Sequence, residues 1–350
     1  MIGCGHWGTK HVRVFNSLSS GSVKQIIDTD KARLVGACQQ FPGVLGERDY
    51  RVALGDSDID AVVIATPTWT HFPLAKEALR AGKHVLCEKP LALKAAEAEE
   101  LHVLARSAGR ILMVGHIFLF NSSIVELKSL CQSGEIGKVR YLAATRTNLG
   151  PIRSDVNAAY DLASHDISIF NWLLESEPEV VSATGQSFLQ PGIEDVVFLS
   201  LRYPGGALAG IRASWLDPKK VRQITVVGSD RMVMWDDLKT ASPLVIYEKG
   251  ALADPHHNGN GDFQRDSIRE RDIVLPMGEL EEPLRTQNRH FLEAIAGAAP
   301  RSTGQFAAGV VRTLEAAAKS LTQGGAPVPV DAPPAASGSS RTRAAAARTP

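Results

Sequence analysis

Cysteine is scarce in this 350-residue chain, and Cys4, Cys38, Cys87 and Cys131 stand far apart, with no C-x-x-C and no zinc-ligand spacing. That argues against a disulfide scaffold and against a metal site, and predicts reduced thiols in a cytoplasmic protein. Excess charge of either sign is also missing, since Lys+Arg and Asp+Glu both total 38. Without a basic stripe, nucleic acid is not an expected partner. No apolar run is long enough for a bilayer, because the longest, Ile111–Phe120, is interrupted by Gly115 and His116. A glycine turn follows Met1 almost at once and leaves no room for a signal peptide, so a soluble protein is expected. There is no internal repeat.

What is present is an ordinary globular composition, 44% hydrophobic and 22% charged, on a chain long enough for two cores. Val23–Asp28, Ala61–Thr66, His84–Cys87 and Ile111–Gly115 read as buried strands. Between them, Thr70–Ala81 and Lys94–Ala108 carry apolar residues at helical spacing. This alternation predicts an α/β fold with a doubly wound parallel sheet over residues 1–120. Beyond residue 120 the rhythm changes. Helices over Ser122–Cys131 and near Leu162–Leu174 accompany strands at Lys138–Asn148, Val180–Gly185, Asp195–Tyr203, Ala207–Trp215, Arg222–Val227, Met232–Trp235 and Leu244–Tyr247. Strands that follow one another without helices predict an α+β domain with an open, mainly antiparallel sheet over 121–325. Two helices, Leu284–Ala298 and Gln305–Gln323, close it. Gly250–Asp272 reads as a polar loop, in which His256-His257 is expected to be solvated rather than metal-bound, and 326–350 as a disordered tail.

Gly3-Cys4-Gly5-His6-Trp7-Gly8 is a G-x-G-x-x-G followed by a helical pattern. Glycine permits the tight turn, the approach of a pyrophosphate to the backbone, and close helix–sheet contact. The helix amino end offers N–H groups and a positive dipole to phosphates. Asp28, 20 residues after Gly8 at the end of the next strand, can accept hydrogen bonds from the adenosine ribose. Its carboxylate would repel a 2′-phosphate, so NAD is the expected cofactor and NADP the alternative. Only Met1 and Ile2 precede Gly3, too few for a central strand, and the natural protein is expected to begin a few residues earlier.

Glu88-Lys89-Pro90 lies just past a strand end, on the sheet edge where doubly wound folds bind ligands. A lysine there can polarise a substrate oxygen, although a loop-capping surface lysine has the same sequence appearance. Asp161 and His165, four residues apart, share one face of a helix start. They fit a proton relay oriented by a carboxylate, and equally a capping aspartate beside a satisfied core histidine. The Tyr-x-x-x-Lys of short-chain dehydrogenases and the Cys/His ligand cluster of zinc alcohol dehydrogenases are both absent.

Taken together, Gly3-x-Gly5-x-x-Gly8, Ala65-Thr66-Pro67 with His71, Ala81-Gly82-Lys83-His84-Val85 leading into Glu88-Lys89-Pro90, and Asp161-x-x-x-His165 resemble the glucose–fructose oxidoreductase / inositol dehydrogenase (Gfo/Idh/MocA) family over residues 1–325. Asp161–Ser168, Ser214–Arg222 and Glu282–Arg285 are similar to a narrower group associated with polysaccharide and nucleotide-sugar biosynthesis, whose better-understood members oxidise the sugar 3-hydroxyl of UDP-N-acetylglucosamine or its uronic acid. Tyr160 and Ser164 stand where that group carries Trp and Pro.

The resemblance implies a Rossmann domain and a sheet domain whose open face joins copies into a homo-oligomer. It implies Lys89 as catalytic lysine, Asp161 and His165 as the catalytic pair, and Thr66, Pro67, His71 and Glu88 along the nicotinamide side. A diphosphate on the substrate would need partners, and Arg146, Asn148 and Arg153 are candidates; arginines paired with local carboxylates are an equal explanation. The expected activity is metal-free hydride transfer between a sugar secondary alcohol and nicotinamide. Oxidation of a free cyclitol or aldose, or a non-catalytic dinucleotide sensor, are the alternatives.

Overall fold

The computed structural model describes residues 1–19, 21–248, 272–275 and 281–331. Helices and short strands alternate first: α1 (His6–Asn16), β1 (Gln25–Ile27), α2 (Lys31–Gln40), β2 (Leu45–Glu47), α3 (Tyr50–Gly55), β3 (Ala61–Ile64), α4 (His71–Arg80), β4 (His84–Cys87), α5 (Ala95–Ser107) and β5 (Leu112–Val114). The pairs β1–β2, β3–β4 and β4–β5 are parallel. Met1–Gly3 runs between β1 and β3, because Ile2 bridges in parallel to Ile27 on one side and Ile64 on the other. With that segment counted as the first strand, the spatial order is 3-2-1-4-5-6, doubly wound about the glycine turn. Apolar runs such as Val62-Val63-Ile64 are buried because the strands are covered on both faces.

The second part comprises α6 (Ser122–Gln132), β6 (Tyr141–Thr147), a π-helical turn (Ala159–Ala163) running into α7 (Ser164–Leu174), β7 (Val180–Gln186), β8 (Val196–Arg202), β9 (Leu208–Ser214), β10 (Val221–Val227), β11 (Met232–Asp236), β12 (Leu244–Tyr247), β13 (Asp272–Leu275), α8 (Pro283–Ile295), α9 (Gly304–Thr322) and β14 (Val328–Pro329). These strands form one sheet in the order β13-β12-β11-β10-β6-β9-β8-β7-β14. Its described pairs are antiparallel except for parallel β6–β9. Alternation along the strands buries Leu142, Leu199, Ile211, Ile224 and Trp235 against Ile124, Ile167 and Phe170 of the helices. The other face exposes Tyr141, Phe198 and Leu208. The α9 helix serves both parts: Ala307, Ala308 and Val311 sit in the first core, Val310, Leu314 and Ala317 in the second.

Three early elements carry too little periodicity to be seen in the sequence. The α2 helix buries only Leu34 and Ala37, and its start is set by Asp30, whose side chain accepts from the N–H groups of Ala32 and Arg33. A disordered tail starting at 326 is corrected at its first residues. Val328 is buried, and Val328 and Pro329 pair with Val181 and Val180 of β7, so burial of one valine extends the sheet. The rest of that tail, from 332 on, and most of the Gly250–Asp272 loop with His256-His257 lie outside the described residues. No helix among the described residues is long and apolar enough to cross a membrane.

Candidate active site

The glycine turn packs too tightly for side chains at two of its three positions. Gly3 adopts φ +87°, and a Cβ there would lie 2.6 Å from the Ala65 carbonyl oxygen. At Gly8 a Cβ would come within 2.0 Å of the Gly3 carbonyl oxygen. Gly5 differs, since a Cβ there meets nothing within 4 Å, and it precedes the first turn of α1, which has no side-chain cap. Open space in front of an uncapped helix amino end fits the diphosphate of a dinucleotide. Asp28, just past β1, braces this turn: one carboxylate oxygen accepts from the Cys4 N–H at 2.9 Å, the other from the Asp30 N–H at 2.9 Å. Arg33 approaches it only to 4.0 Å.

A crevice of about 450 Å³ extends from His6 and Trp7 past Thr66, Pro67 and His71 to Glu88 and Lys89. His71 is buried with one ring nitrogen 2.9 Å from the Thr66 carbonyl oxygen and the other 2.8 Å from that of Pro90, so it clasps the two loops together. A larger cavity of about 910 Å³ adjoins it, and His6, Trp7, Lys89, Arg153 and Asp161 line both. His165 lines the larger one together with Lys89, which brings groups 76 positions apart in sequence to one space.

Lys89 is nearly buried, and its Nζ donates to the Asp161 main-chain oxygen at 2.5 Å and lies 3.3 Å from the Asp161 carboxylate. Asp161 sits in the π-helical turn, where carbonyls leave the regular α ladder. The other oxygen of its carboxylate accepts from the Trp215 indole at 3.1 Å, and Arg153 Nη1 lies 3.3 Å from the first. Burial opposes ionisation of Asp161, but Lys89, Arg153 and the indole outweigh it and hold the carboxyl below its ordinary value. Asp161 therefore braces Lys89 rather than orienting His165. His165 Nδ1 is buried without a hydrogen-bond partner, and its ring stands edge-on to Phe118 at 5.0 Å between centroids. Burial, followed by the charges of Lys89 and Arg146 and smaller effects of His116 and Arg222, pushes His165 well below the usual histidine range. The neighbouring His116 is pushed down to about 3, by burial and then by Lys89.

These two histidines make stability acid-sensitive. On unfolding each regains its ordinary value of 6.5, so below that pH the unfolded chain binds more protons than the native one. Stability is expected to be full above pH 6.5 and to fall as the pH drops toward 3, by up to about 1.4 kcal/mol per pH unit for each histidine. Urea unfolding at pH 7 and pH 5 measures this, and replacing His116 by Phe should shallow the slope.

The three candidate substrate residues, Arg146, Asn148 and Arg153, all line the larger cavity, but both arginines are already paired. Arg153 is held by Asp155 at 2.6 and 2.8 Å and by Thr68 at 3.2 Å, tying the two parts of the chain together. Arg146 is 2% exposed and makes a bidentate pair with Asp166, itself 1% exposed, at 2.7 and 2.9 Å. It is thus a buried, paired arginine. Arg222, given no role by sequence, stands directly opposite Arg146 across the β6–β10 ladder and also lines the cavity. Facing like charges repel. Asp166 offsets one and Asp237, 3.0 Å from Arg222 Nη1, the other, while Phe118 takes their guanidinium carbons at 4.4 and 5.8 Å from its ring centre. A sequence signal for this existed: both arginines occupy the inward parity of strands otherwise filled by Leu142, Ala144, Ile224 and Val226.

Comparison with known proteins places this arrangement. Residues 1–116 match the oxidoreductase family with NAD-binding Rossmann fold, and residues 124–234 match the GFO/IDH/MocA C-terminal domain. The chain belongs to the Gfo/Idh/MocA oxidoreductase family. It is 31% identical over 306 residues to UDP-N-acetylglucosamine 3-dehydrogenase of Acidithiobacillus ferrooxidans, covering 85% of this chain and 91% of that one. The solved structure of that enzyme, GnnA, matches with a TM-score of 0.78 at 27% identity, over 92% and 96% of the two chains. Inositol 2-dehydrogenase 2 of Saccharopolyspora erythraea is 34% identical over 225 residues, 60% of this chain and 64% of the relative, so that the match spans just under two thirds of it. GenD2 from gentamicin A biosynthesis, solved in complex with NAD, matches at 25% identity and a TM-score of 0.79 over 95% of each chain.

Both parts of the Gfo/Idh/MocA pattern are thus present, and the N-terminal part is the family's NAD-binding Rossmann fold. His6 and Trp7 of the glycine turn line the same crevice as Lys89.

Proposed function

We propose that the chain is a cytoplasmic NAD-dependent sugar dehydrogenase that acts, with residues 1–120 holding the dinucleotide and 121–325 the sugar, on the C3 hydroxyl of a UDP-N-acetylhexosamine or its uronic acid. The observation that carries this reading is the shared cavity of Lys89 and His165 beside the glycine-turn crevice. NAD, when bound, supplies the hydride acceptor. The residues supply the rest. In oxidation the hydroxyl proton passes to His165, which burial and then its cationic neighbours keep neutral, with its lone pair free, at neutral pH. With Nδ1 sealed in the protein, Nε2 is the nitrogen that takes it. The Lys89 ammonium donates to the same oxygen and stabilises its developing negative charge, while Asp161 fixes the lysine. In the reverse direction His165 returns the proton to the carbonyl oxygen.

The size of the larger cavity supports a nucleotide sugar. Beyond the shared rim it continues past Asn121, Ser122 and Ser123 to Asp237 and Thr240, far more room than one sugar ring fills. One observation favours the cyclitol alternative: Lys89, Arg146, Arg153 and Arg222 are each already paired with a carboxylate, which suits a neutral polyol. NAD reduction assayed with UDP-N-acetylglucosamine, its uronic acid and myo-inositol decides. Turnover of a UDP-sugar is expected, and turnover of inositol alone would overturn the nucleotide-sugar assignment. The four free cysteines fit the reducing cytosol, and a second copy of the chain is the proposed cover for the face bearing Tyr141, Phe198 and Leu208. Polysaccharide biosynthesis is the setting that such a product would serve.

A further inference from the structure

His11 lies on the second turn of α1, wholly buried, and touches none of the space where a sugar would lie. Its Nδ1 is 3.0 Å from the side-chain oxygen of Asn288 on α8, and its Nε2 is 2.9 Å from the Glu88 carboxylate. The other oxygen of Glu88 accepts the Lys89 main-chain N–H at 3.2 Å. Glu88 also lies over Gly115, where any side chain would crowd it: a Cβ there would come within 3.0 Å of its carboxyl carbon. Burial opposes ionisation of Glu88, but His11 and Lys89 outweigh it and hold the carboxyl below its ordinary value. Residues 11, 88 and 288 thus form a buried chain of contacts that ends on the backbone of the lysine.

We propose that His11 is a positioning residue for Lys89: anchored by Asn288, it fixes the Glu88 carboxylate, and the carboxylate fixes the main chain from which the lysine reaches the reacting oxygen. The proposal rests on the reading of Lys89 as the group that binds the alcohol oxygen. A buried carboxylate that loses its partner either takes a proton or turns toward solvent. Turning away releases the Lys89 N–H and protonation weakens its acceptor, and a displacement of about 1 Å at a reacting group lowers a rate on the order of 100-fold. The same contacts join α1, which carries the phosphate turn, to α8 near the far end of the chain.

The test compares His11→Phe, which keeps a ring of similar size stacked near Phe15 but removes both nitrogens, with His11→Gln, which restores one donor toward Glu88. Four quantities are read: kcat and KM for the sugar at saturating NAD, NAD affinity from quenching of tryptophan fluorescence, and the Lys89 Nζ to Asp161 oxygen distance in a crystal. His11→Phe is expected to lower kcat about 100-fold, with NAD affinity and sugar KM within a few-fold, and His11→Gln to recover about 10-fold of the loss. In the His11→Phe crystal the 2.5 Å Lys89–Asp161 contact should be broken. An unchanged kcat with only a lowered melting temperature, or a loss accounted for by weaker NAD binding, overturns the proposal. Should His11→Phe fail to fold, His11→Gln and Asn288→Ala carry the same measurements, with a loss of kcat supporting the proposal and none overturning it. Should the wild-type protein turn over no sugar, the parent reading fails by itself; an intact Lys89–Asp161 contact in the variant crystal then overturns this proposal separately, and a broken one supports it.

Discussion

Replacement of Lys89 by alanine is expected to lower kcat about 1000-fold while NAD binding stays within a few-fold of wild type. Among the described residues the ammonium is the one cation that both lines the cofactor crevice and donates to the Asp161 carbonyl, and without it the developing alkoxide loses that donor. Lys89→Arg should not rescue, because a planar fork cannot take the place of a point charge held at 2.5 Å from a carbonyl oxygen. His165→Asn is expected to cost a similar factor by removing the base. In the wild-type protein the acid limb of the kcat profile for oxidation should lie below pH 6.5, since His165 must charge against burial and neighbouring cations before it ceases to accept a proton. Stopped-flow NADH absorbance and equilibrium NAD binding measure both halves of the claim. Normal turnover by Lys89→Ala would end the catalytic assignment, and no turnover by wild type on any sugar would leave a dinucleotide sensor.

The largest effect on stability is expected at Asp166. Its replacement by alanine leaves the Arg146 guanidinium, 2% exposed, without its bidentate partner and directly across the ladder from Arg222. Breaking a buried pair in this way costs about 3–5 kcal/mol, because the remaining charge stays desolvated. Urea unfolding of Asp166→Ala measures it, and a loss below about 1 kcal/mol would mean that water reaches Arg146. The double change Arg146→Met with Asp166→Leu should recover most of the loss, since neither charge is then buried alone. It should also let His165 protonate more easily, because Arg146 is among the charges that oppose it.

Where an element carries a full apolar period, the sequence locates it to within a residue or two: α5 was expected over Lys94–Ala108 and runs Ala95–Ser107, and β4 occupies His84–Cys87 as expected. The α2 helix escapes the same reading because two buried residues make no pattern, and β13 because the polar stretch before it carries no strand signal. Lys89, Asp161 and His165 could be named as candidates because each stands in a short motif with its own chemistry. Their partners could not. Trp215, Phe118, Arg222 and His11 look like core or surface residues in a linear text, and their roles appear only when the fold sets Trp215 against Asp161, Phe118 against the Arg146–Arg222 pair and His11 against Glu88. Among the described residues Asp161 meets Lys89 and Trp215 and makes no hydrogen bond to His165: helical spacing puts two side chains on one face but does not say which group from elsewhere in the chain meets either.

The doubly wound first sheet, the open second sheet, the glycine turn and the motif lysine and histidine follow from periodicity and local backbone rules, which act between residues close in the chain. Whether Asp161 serves the lysine or the histidine, how two facing arginines are kept apart, and what holds Glu88 under Lys89 were decided by folding. Those contacts join residues tens to hundreds of positions apart, and their energies depend on burial, which no local stretch of sequence contains.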